Sequence, residues 1–244
     1  GIIGFQDVAR ARTDGRTLVL GSLSNMSANT TCRGERLGYS PASSFRPVAM
    51  LARAPLVVAV KNDSSIHSYS ELLQWLAERP GIAMYASSGL CSYSDLVARY
   101  LMKRSSADVV AAPYTGGQAG VQALLDDEVS VLFSELPILA STLQEGRVRL
   151  LVDSSKSAGG QATTFEDIGG KLFQAAVGYG FFVPAETPSR EARILQNAIQ
   201  ETLSDPEVGR QIEAIGAQQQ TLTGAEIFNE ITGLARQMEE LVVA

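Results

Sequence analysis

The chain has 244 residues, of which 45% are hydrophobic and 19% charged, and its 20 basic and 26 acidic side chains give a net charge of -6. This composition is that of a globular protein, and the absence of any Lys or Arg run argues against a nucleic-acid surface or an anionic membrane surface. The apolar runs are shorter than the ~20 residues that span a bilayer. The opening GIIGFQDVAR lacks the basic and apolar regions of a signal peptide.

Seven short apolar runs alternate with stretches of helical character. They cover residues 17–22, 55–60, 82–87, 108–114, 129–135, 148–153 and 176–183. Most are continuous in apolar residues, as buried parallel strands tend to be. Strands that alternate with helices predict an α/β fold with mostly parallel sheets. In such sheets, ligands bind beyond the carboxyl ends of the strands and beside helix N-termini.

Several predicted helices carry start signals. Ser68 with Glu71, and Thr223 with Glu226, match the Ser/Thr-x-x-Glu capping box. Pro188 suits the first position of another helix.

The last predicted helix has apolar residues at helical spacing. These residues are Ile227, Ile231, Leu234, Met238 and Leu241. The spacing predicts one buried face, with Glu230, Arg236 and Glu239 exposed on the other.

Hydroxylic and small residues follow the apolar runs at several strand-to-helix junctions. The junctions are 21–29, 86–95, 113–120 and 134–137. The first backbone N–H groups of a helix lack intrahelical partners and attract carboxylate or phosphate groups. No Lys or Arg lies between residues 80 and 98 or between 105 and 146, so amides and hydroxyls must hold any anion bound there. The alternative is that these hydroxyls only cap helices, with Ser92 capping a helix that has Asp95 at its third position.

An enzyme and a metal site find less support in the residues. A nucleophilic Cys91 or Ser92 needs a base, yet the only histidine, His67, lies in a polar loop, and no G-x-S-x-G elbow is present. The acidic residues 126–128 predict a solvated turn in place of a metal site. Cys32 and Cys91 are too few for a disulfide framework and lack metal-ligand spacing, although one bridge between them is left open. No cofactor is expected.

An ordered series of motifs carries a resemblance to a known family. The motifs are 13-TDGRTLVLGS-22, 84-MYASSGLCSYSDL-96, 113-PYTGG-117, 130-SVLFSELP-137, 180-GFFVPAETP-188 and 204-SDPEVGRQIEAIGAQ-218. Over essentially its whole length the chain resembles the Bug-type substrate-binding proteins of tripartite tricarboxylate transporters. The resemblance implies a two-lobed periplasmic-binding-protein fold of type II, with crossover strands at 55–60 and 176–183. The first lobe would comprise residues 1–57 and 178–244, and the second residues 58–177.

The resemblance also implies a cleft between the lobes for a small carboxylate or amino acid, held by loop amides, hydroxyls and ordered waters. The implied ligand-binding residues are Ser24, Asn25, Ser87, Ser88, Gly89, Cys91, Ser92, Tyr93, Tyr114, Gly116, Ser134 and Glu135. Cys91 and Tyr93 stand where small residues are usual, which predicts a narrower or more apolar pocket. Glu135 stands where an amide is common. Because a carboxylate there repels a dianion, it favours a ligand that offers an amine, a hydroxyl or only one carboxylate.

In function, the resemblance implies a periplasmic solute-binding protein that acts as a monomer and docks on the membrane permease subunits of a transporter. A ligand-sensing module of the same architecture is the alternative, and a hydrolase comes third. Family members begin with a strand and a P-x-G-G-x-x-D loop ahead of the point where this sequence starts. Either the given chain is a truncated form, or its first lobe lacks that strand.

Overall fold

The computed structural model describes residues 1–112, 114–154, 163–168 and 176–243. The chain divides into two compact units, which we call unit 1 and unit 2. Unit 1 comprises residues 1–54 and 177–240, and unit 2 comprises residues 55–176 and 241–244. The predicted lobes, residues 1–57 with 178–244 and residues 58–177, stay a prediction. The predicted polar loop at 154–164 lies mostly outside the described residues.

Unit 1 combines helices with a sheet built from both ends of the chain. Its elements are α1 (Ile2–Ala9), β1 (Val19–Ser22), α2 (Leu23–Arg33), a 3-10 turn (Gly34–Leu37), the first part of β2 (Phe45–Lys61), β7 (Ala176–Pro184), α7 (Ser189–Leu203), α8 (Pro206–Ala214), β8 (Gln218–Gln219) and α9 (Gly224–Val243). The first residue of β7 and the last three of α9 are assigned to unit 2. β1 and β8 run antiparallel to β7 and β2, respectively, and β7 lies next to β2 in the sheet.

Unit 2 contains the second part of β2 and the middle of the chain. Its other elements are α3 (Tyr69–Ala77), β3 (Met84–Ala86), α4 (Tyr93–Arg104), β4 (Val110–Ala111), α5 (Gly117–Leu125), β5 (Val131–Glu135), α6 (Leu136–Gln144) and β6 (Val148–Asp153). β3 is parallel to both β4 and β5, whereas β5 and β6 are antiparallel to β2.

The α/β class is as predicted, but the sheets are mixed in direction and the expectation of mostly parallel pairing is wrong. The reason is β2, a 17-residue strand whose two parts run antiparallel to β8 in unit 1 and to β5 and β6 in unit 2. The sequence predicted only residues 55–60 of it. The earlier residues were missed because Arg46 and Arg53 interrupt the apolar run.

Two of the three predicted helix starts have the predicted capping hydrogen bonds, and the third helix starts one residue later than predicted. The Ser68 hydroxyl accepts from the Glu71 amide at 3.2 Å and caps α3. The Thr223 amide donates to the Glu226 carboxylate at 3.1 Å, next to the start of α9. Pro188 immediately precedes α7, which begins at Ser189.

Aromatic packing closes the core of unit 1 around the side chain of Phe5. The Phe5 ring lies with its centroid 5.4 Å from those of Tyr39 and Phe45 and 6.3 Å from that of Phe182. A Cβ atom at Gly21 would come within 2.1 Å of the Phe5 ring. The edge strand β1 therefore requires a residue without a side chain at this position.

The charged face predicted for α9 is only partly exposed. Arg236 and Glu239 are exposed, as predicted, but the Glu230 side chain is only 7% exposed. Its carboxylate forms a 2.8 Å ion pair with Arg53 of β2. Glu230 was wrongly predicted to be exposed because its ion-pair partner lies far away in the sequence.

Replacement of Glu230 with Ala should lower the free energy of unfolding by about 2–3 kcal/mol, because it leaves the half-buried Arg53 guanidinium without this carboxylate. Chemical denaturation of the purified protein measures the change. Glu239→Ala, on the exposed face of the same helix, is the matched control and should stay within about 0.5 kcal/mol of the parent. Equal losses in the two variants would contradict a structural role for the ion pair.

Candidate functional site

Three loops of unit 2 meet at one edge of its sheet. Because β3 is parallel to β4 and β5, their carboxyl ends lie at the same edge. The residues that end or follow these strands are 87–89, 114–116 and 134–135, and we call them the strand-end site. A Cβ atom at Gly89 would lie 3.5 Å from the Tyr114 carbonyl oxygen, and one at Gly117 would lie 3.4 Å from the Ser134 hydroxyl. The structure therefore brings these predicted residues together.

The loop after β3 is held by its own serines. The Ser87 hydroxyl donates to the Gly89 carbonyl and accepts from the Gly89 amide, both at 3.2 Å. The Ser88 amide donates to the Ser94 hydroxyl at 3.1 Å. Gly89 has φ +123°, a backbone conformation that residues with a side chain rarely adopt. The loop is thus shaped by local hydrogen bonds that leave the Ser88 hydroxyl for another partner.

Ser92 caps α4, as the sequence predicted. Its hydroxyl accepts from the Asp95 amide at 3.2 Å and lies 3.1 Å from the Ser94 hydroxyl. Ser92 is 8% exposed. The Ser92 hydroxyl therefore caps the helix. Its contact with a ligand stays a prediction.

Asp95 organises the start of α4, a role that sequence reasoning missed. Its buried carboxylate accepts from the Cys91 amide, the Tyr85 hydroxyl and the Arg99 side chain, each at 2.9 Å. Burial is the main cause of a raised pKa at Tyr85, and the Asp95 charge adds to it. In the sequence, only the position of Asp95 three residues after the helix cap pointed to a role for it. A capping motif predicts a contact at the helix start, but it does not predict that the carboxylate is buried and accepts three hydrogen bonds.

Glu135 ends β5 and is fully buried. One carboxyl oxygen, Oε2, accepts from the Ser88 hydroxyl at 2.6 Å. Oε1 and the neighbouring Ser134 hydroxyl are buried and have no hydrogen-bond partner among the described residues. Burial raises the pKa of Glu135, and the Ser88 hydroxyl, the Glu135 amide and the nearby Ser134 hydroxyl partly oppose this effect.

Tyr114 and Gly116 shape the loop after β4. The Tyr114 hydroxyl donates to the Glu128 carboxylate, which raises the pKa of Tyr114. Gly116 has φ +96° and precedes α5, whose start has no side-chain cap. Unlike the start of α4, this helix start can thus offer backbone amides to an anion.

The remaining predicted residues have different surroundings. Ser24 and Asn25 belong to unit 1, where the Ser22 hydroxyl caps α2 by accepting from the Asn25 amide at 3.1 Å. Ser24 is fully buried, and its hydroxyl has no hydrogen-bond partner among the described residues. In unit 2, Tyr93 is fully buried. Cys91 contributes its amide to Asp95.

Nucleophilic chemistry finds no support in the side chains. Cys32 and Cys91 are both disulfide-bonded, so Cys91 offers no thiol, and His67 is exposed. Within the described part of the chain, no group of three or more His, Cys, Asp or Glu side chains could hold a metal ion. No helix in that part combines the length and apolar character needed to cross a membrane.

Three cationic side chains of unit 2 have partners outside the residues of the strand-end site. Arg99 pairs with Asp95 at 2.9 Å. The Arg149 guanidinium donates to three backbone carbonyls in the loop 62–66, and Lys61 pairs with Asp127 at 2.6 Å. The donors identified at the strand-end site are hydroxyls and amides.

Comparison with known proteins identifies close similarities in sequence and fold. Residues 1–227 match the model of the tripartite tricarboxylate transporter family receptor, TctC. The chain is 27% identical to the protein BugT of Bordetella pertussis over 89% of its own length and 67% of that protein. It is also 27% identical to the UPF0065 protein in the tcbD-tcbE intergenic region of Pseudomonas sp. strain P51, over 88% of its length and 65% of that relative.

Solved structures share the fold over nearly the whole chain. A periplasmic transporter structure, 28% identical, superposes with a TM-score of 0.92 over 99% of this chain and 81% of that one. Rpa4515 of R. palustris with adipate, 22% identical, gives a TM-score of 0.90 and covers 99% and 82% of the two chains. MatC from Rhodopseudomonas palustris with bound malate, also 22% identical, gives 0.86 over 99% and 84%. These likenesses agree with the predicted periplasmic-binding-protein fold.

Replacement of Ser92 with Ala should lower the free energy of unfolding by about 1 kcal/mol, because the start of α4 loses its side-chain cap. The thermal midpoint should fall by about 2–4 °C for a chain of this size. Ser70→Ala, at an exposed helical serine of α3, is the control and should leave the midpoint nearly unchanged. A midpoint unaffected by Ser92→Ala would contradict the capping role.

Glu135→Gln should stabilise the unliganded protein increasingly as the pH rises. Below the unfolded-state pKa of about 4.3, Glu135 is neutral in both states and the two proteins should differ little. Above it, the unfolded glutamate ionises while the buried one stays neutral, which costs the parent up to about 1.4 kcal/mol per pH unit until the raised folded-state pKa is reached. Urea denaturation at several pH values measures this difference. A difference that is constant with pH would show that burial does not hold Glu135 in its neutral form.

Proposed function

Because the chain belongs to the tripartite tricarboxylate transporter family receptors, we propose that it is a periplasmic solute-binding protein that captures a small organic acid or amino acid for a transporter of that type. The observation that carries the proposal is the strand-end site. There, three loops bring together hydroxyls, a helix start without a side-chain cap and a buried carboxyl group. The arrangement suits binding, because it offers donors for an anion and no activated nucleophile among the described side chains.

The donor set favours a carboxylate of modest charge. A helix start and a few hydroxyls can hold one carboxylate group without a salt bridge. The described cations discussed above are committed to other partners. Adipate and malate accompany two of the structures that share the fold. These observations support a small carboxylic acid, with or without an amino group, as the ligand class.

The residues proposed to contact this ligand in unit 2 are those of the strand-end site. The Ser134 hydroxyl is the sharpest candidate, because it is 1% exposed and has no hydrogen-bond partner among the described residues. A buried polar group without a partner costs about 1–3 kcal/mol and persists where it serves another purpose. Ser24 and Asn25 of unit 1 stay proposed ligand-binding residues, and the buried Ser24 hydroxyl, which has no partner within the described ranges, supports this.

Partners and location follow from the proposed role. The liganded protein would act in the periplasm as a monomer and deliver its cargo to membrane permease subunits. A sensing module of the same architecture remains the second candidate, supported by the same site. Co-purification with permease subunits in detergent would favour transport, whereas a ligand-dependent interaction with a signalling protein would favour sensing.

A panel of malate, succinate, adipate, lactate, aspartate and glutamate should contain at least one stabilising acid. At 100 times its dissociation constant, that acid adds about 2.7 kcal/mol of stability, or roughly 5–10 °C in the thermal midpoint. Ser134→Ala should weaken its binding about tenfold or more, because one hydrogen bond to a charged group is lost. Calorimetric titration measures the affinity.

The control for Ser134→Ala is Ser141→Ala, at an exposed serine in α6 that should leave affinity unchanged. If Ser134 served only to stabilise the fold, its replacement would lower the stability of the unliganded protein. We expect no such loss, so the parent and variant should unfold at similar temperatures without ligand. Full affinity in Ser134→Ala would remove this residue from the site, and no response of the parent to any member of the panel would count against the proposed function.

A further inference from the structure

Two consecutive residues at the end of β5 present buried polar atoms that have no hydrogen-bond partner in the described part of the chain. These atoms are Oε1 of Glu135 and Oγ of Ser134, each with almost no exposed surface. The second carboxyl oxygen of Glu135 is already engaged by the Ser88 hydroxyl at 2.6 Å. Glu135 precedes α6, yet its side chain makes no capping hydrogen bond to that helix. The carboxyl group therefore serves neither an ion pair nor a helix cap among the described residues.

No described cation of β3 or α4 forms an ion pair with Glu135. In β3, the Tyr85 hydroxyl donates to Asp95. In α4, Asp95 pairs with Arg99 at 2.9 Å. Lys103 and Arg104 stand at the opposite end of that helix from its start near the strand-end site. The charges on this side thus compensate one another or lie far along the helix.

Among the described residues, the cations of the other neighbouring elements have other partners, as Arg53 of β2 has in Glu230. Neither α5 nor α6 contains a titratable residue. In β2, Leu56 stands opposite Glu135, and Lys61 lies beyond the paired residues and binds Asp127. Asp153 of β6 pairs in register with Val57, and an acid there cannot stabilise a second negative charge.

A buried carboxylate without a cation is costly, and such a group takes up a proton in place of remaining charged. The raised pKa of Glu135, caused by burial, agrees with this geometry. A neutral carboxylic acid has one O–H donor, which an ionised carboxylate lacks. The Ser134 hydroxyl lies close enough to this carboxyl group to lower its pKa, and it is a second O–H donor that meets hydrogen-bond geometry with no described residue.

We propose that Glu135 binds the ligand as the neutral acid, donating its O–H from Oε1 to a ligand carboxylate oxygen beside the Ser134 hydroxyl, so that capture of an anion requires a proton on Glu135. This inference rests on the proposed function and adds the specificity and pH dependence of the same site. The proton comes from solvent whenever the unliganded protein holds Glu135 ionised. A ligand carboxylate then enters without a second negative charge facing it.

This assignment changes what Glu135 selects for. An ionised Glu135 repels carboxylates and accepts a hydrogen bond from an amine or hydroxyl of the ligand. The neutral acid instead adds a donor for a carboxylate, so a second carboxylate on the ligand is tolerated. The absence of a counter-cation among the described neighbours favours the neutral form, and the amine-binding alternative becomes an outcome of the test.

The test is calorimetric titration of the tightest-binding acid of the panel between pH 6.5 and 9, where carboxylic acids with pKa values of about 4–5 are fully ionised. It compares the parent with Glu135→Gln, which keeps a donor but cannot titrate, and Glu135→Leu, which has no donor. Glu145→Gln, at an exposed glutamate just after α6, is the control for loss of one negative charge. Titrations in two buffers of different ionisation enthalpy count the protons taken up. If an amino acid is the tightest binder, adipate replaces it, so that the titration of an ammonium group does not enter.

The expected result is that Glu135→Gln binds about as tightly as the parent at pH 6.5, and Glu135→Leu about tenfold or more weakly. Above the pKa of Glu135, parent affinity should fall about tenfold per pH unit with uptake of up to one proton, while Glu135→Gln stays constant. If the affinity of the parent does not change with pH and the three proteins keep this order of affinity, the proposal is also supported, because Glu135 then stays protonated over the whole pH range.

Two results would overturn the inference while leaving the proposed function in place. If Glu135→Gln and Glu135→Leu both bind as the parent does at every pH, Glu135 does not contact the acid. If Glu135→Gln loses affinity at every pH while the parent shows no decline and no proton uptake, the group acts as an ionised acceptor. Failure of the parent and Glu145→Gln to bind any acid contradicts the proposed function itself, and the inference falls with it.

Discussion

Parallel pairing of β3 with both β4 and β5 is the constraint on which the candidate site depends. Strands that run the same way end at the same edge, so residues 87–89, 114–116 and 134–135 meet although they are far apart in sequence. Close approach of Gly89 to Tyr114, and of Gly117 to Ser134, fixes the spacing of the loops. An antiparallel partner in place of β4 or β5 would have moved one of the three loops to the opposite edge.

A buried carboxylate holds one of these loops in place. Asp95 collects donors from the loop before α4, from β3 and from α4 itself, and these three hydrogen bonds offset the cost of burying its charge. Glu135 shows the opposite case. It is equally buried but has one hydroxyl partner and one free oxygen among the described residues. Two acids in the same unit therefore differ in role because their surroundings differ.

The candidate site combines frame residues, whose side chains have hydrogen-bond partners, with buried polar atoms that have none among the described residues. Frame residues such as Ser92 and Ser94 satisfy each other and the helix start, whereas the hydroxyl of Ser134 and the Oε1 atom of Glu135 have no partner among the described residues. The chain belongs to the tripartite tricarboxylate transporter family receptors, and under the proposed function these groups would contact the ligand. In the proposed binding mode, hydroxyls, amides and one neutral acid would hold the anion without a salt bridge.

The sequence by itself determined the α/β class, the positions of most strands, the caps at Ser68 and Ser92, and the family. These features depend on local chemistry: apolar runs, helix-start residues and motif order can be read within a few neighbouring positions. Only the tertiary structure decided the mixed strand directions, the burial of Glu230 against Arg53 and the three further donors of Asp95. It also decided which predicted site residues share one edge and that Glu135 lacks a cation among its described neighbours. Burial and counter-charges depend on residues distant in sequence, and for this reason the ionisation of an acid cannot be predicted from its neighbours along the chain.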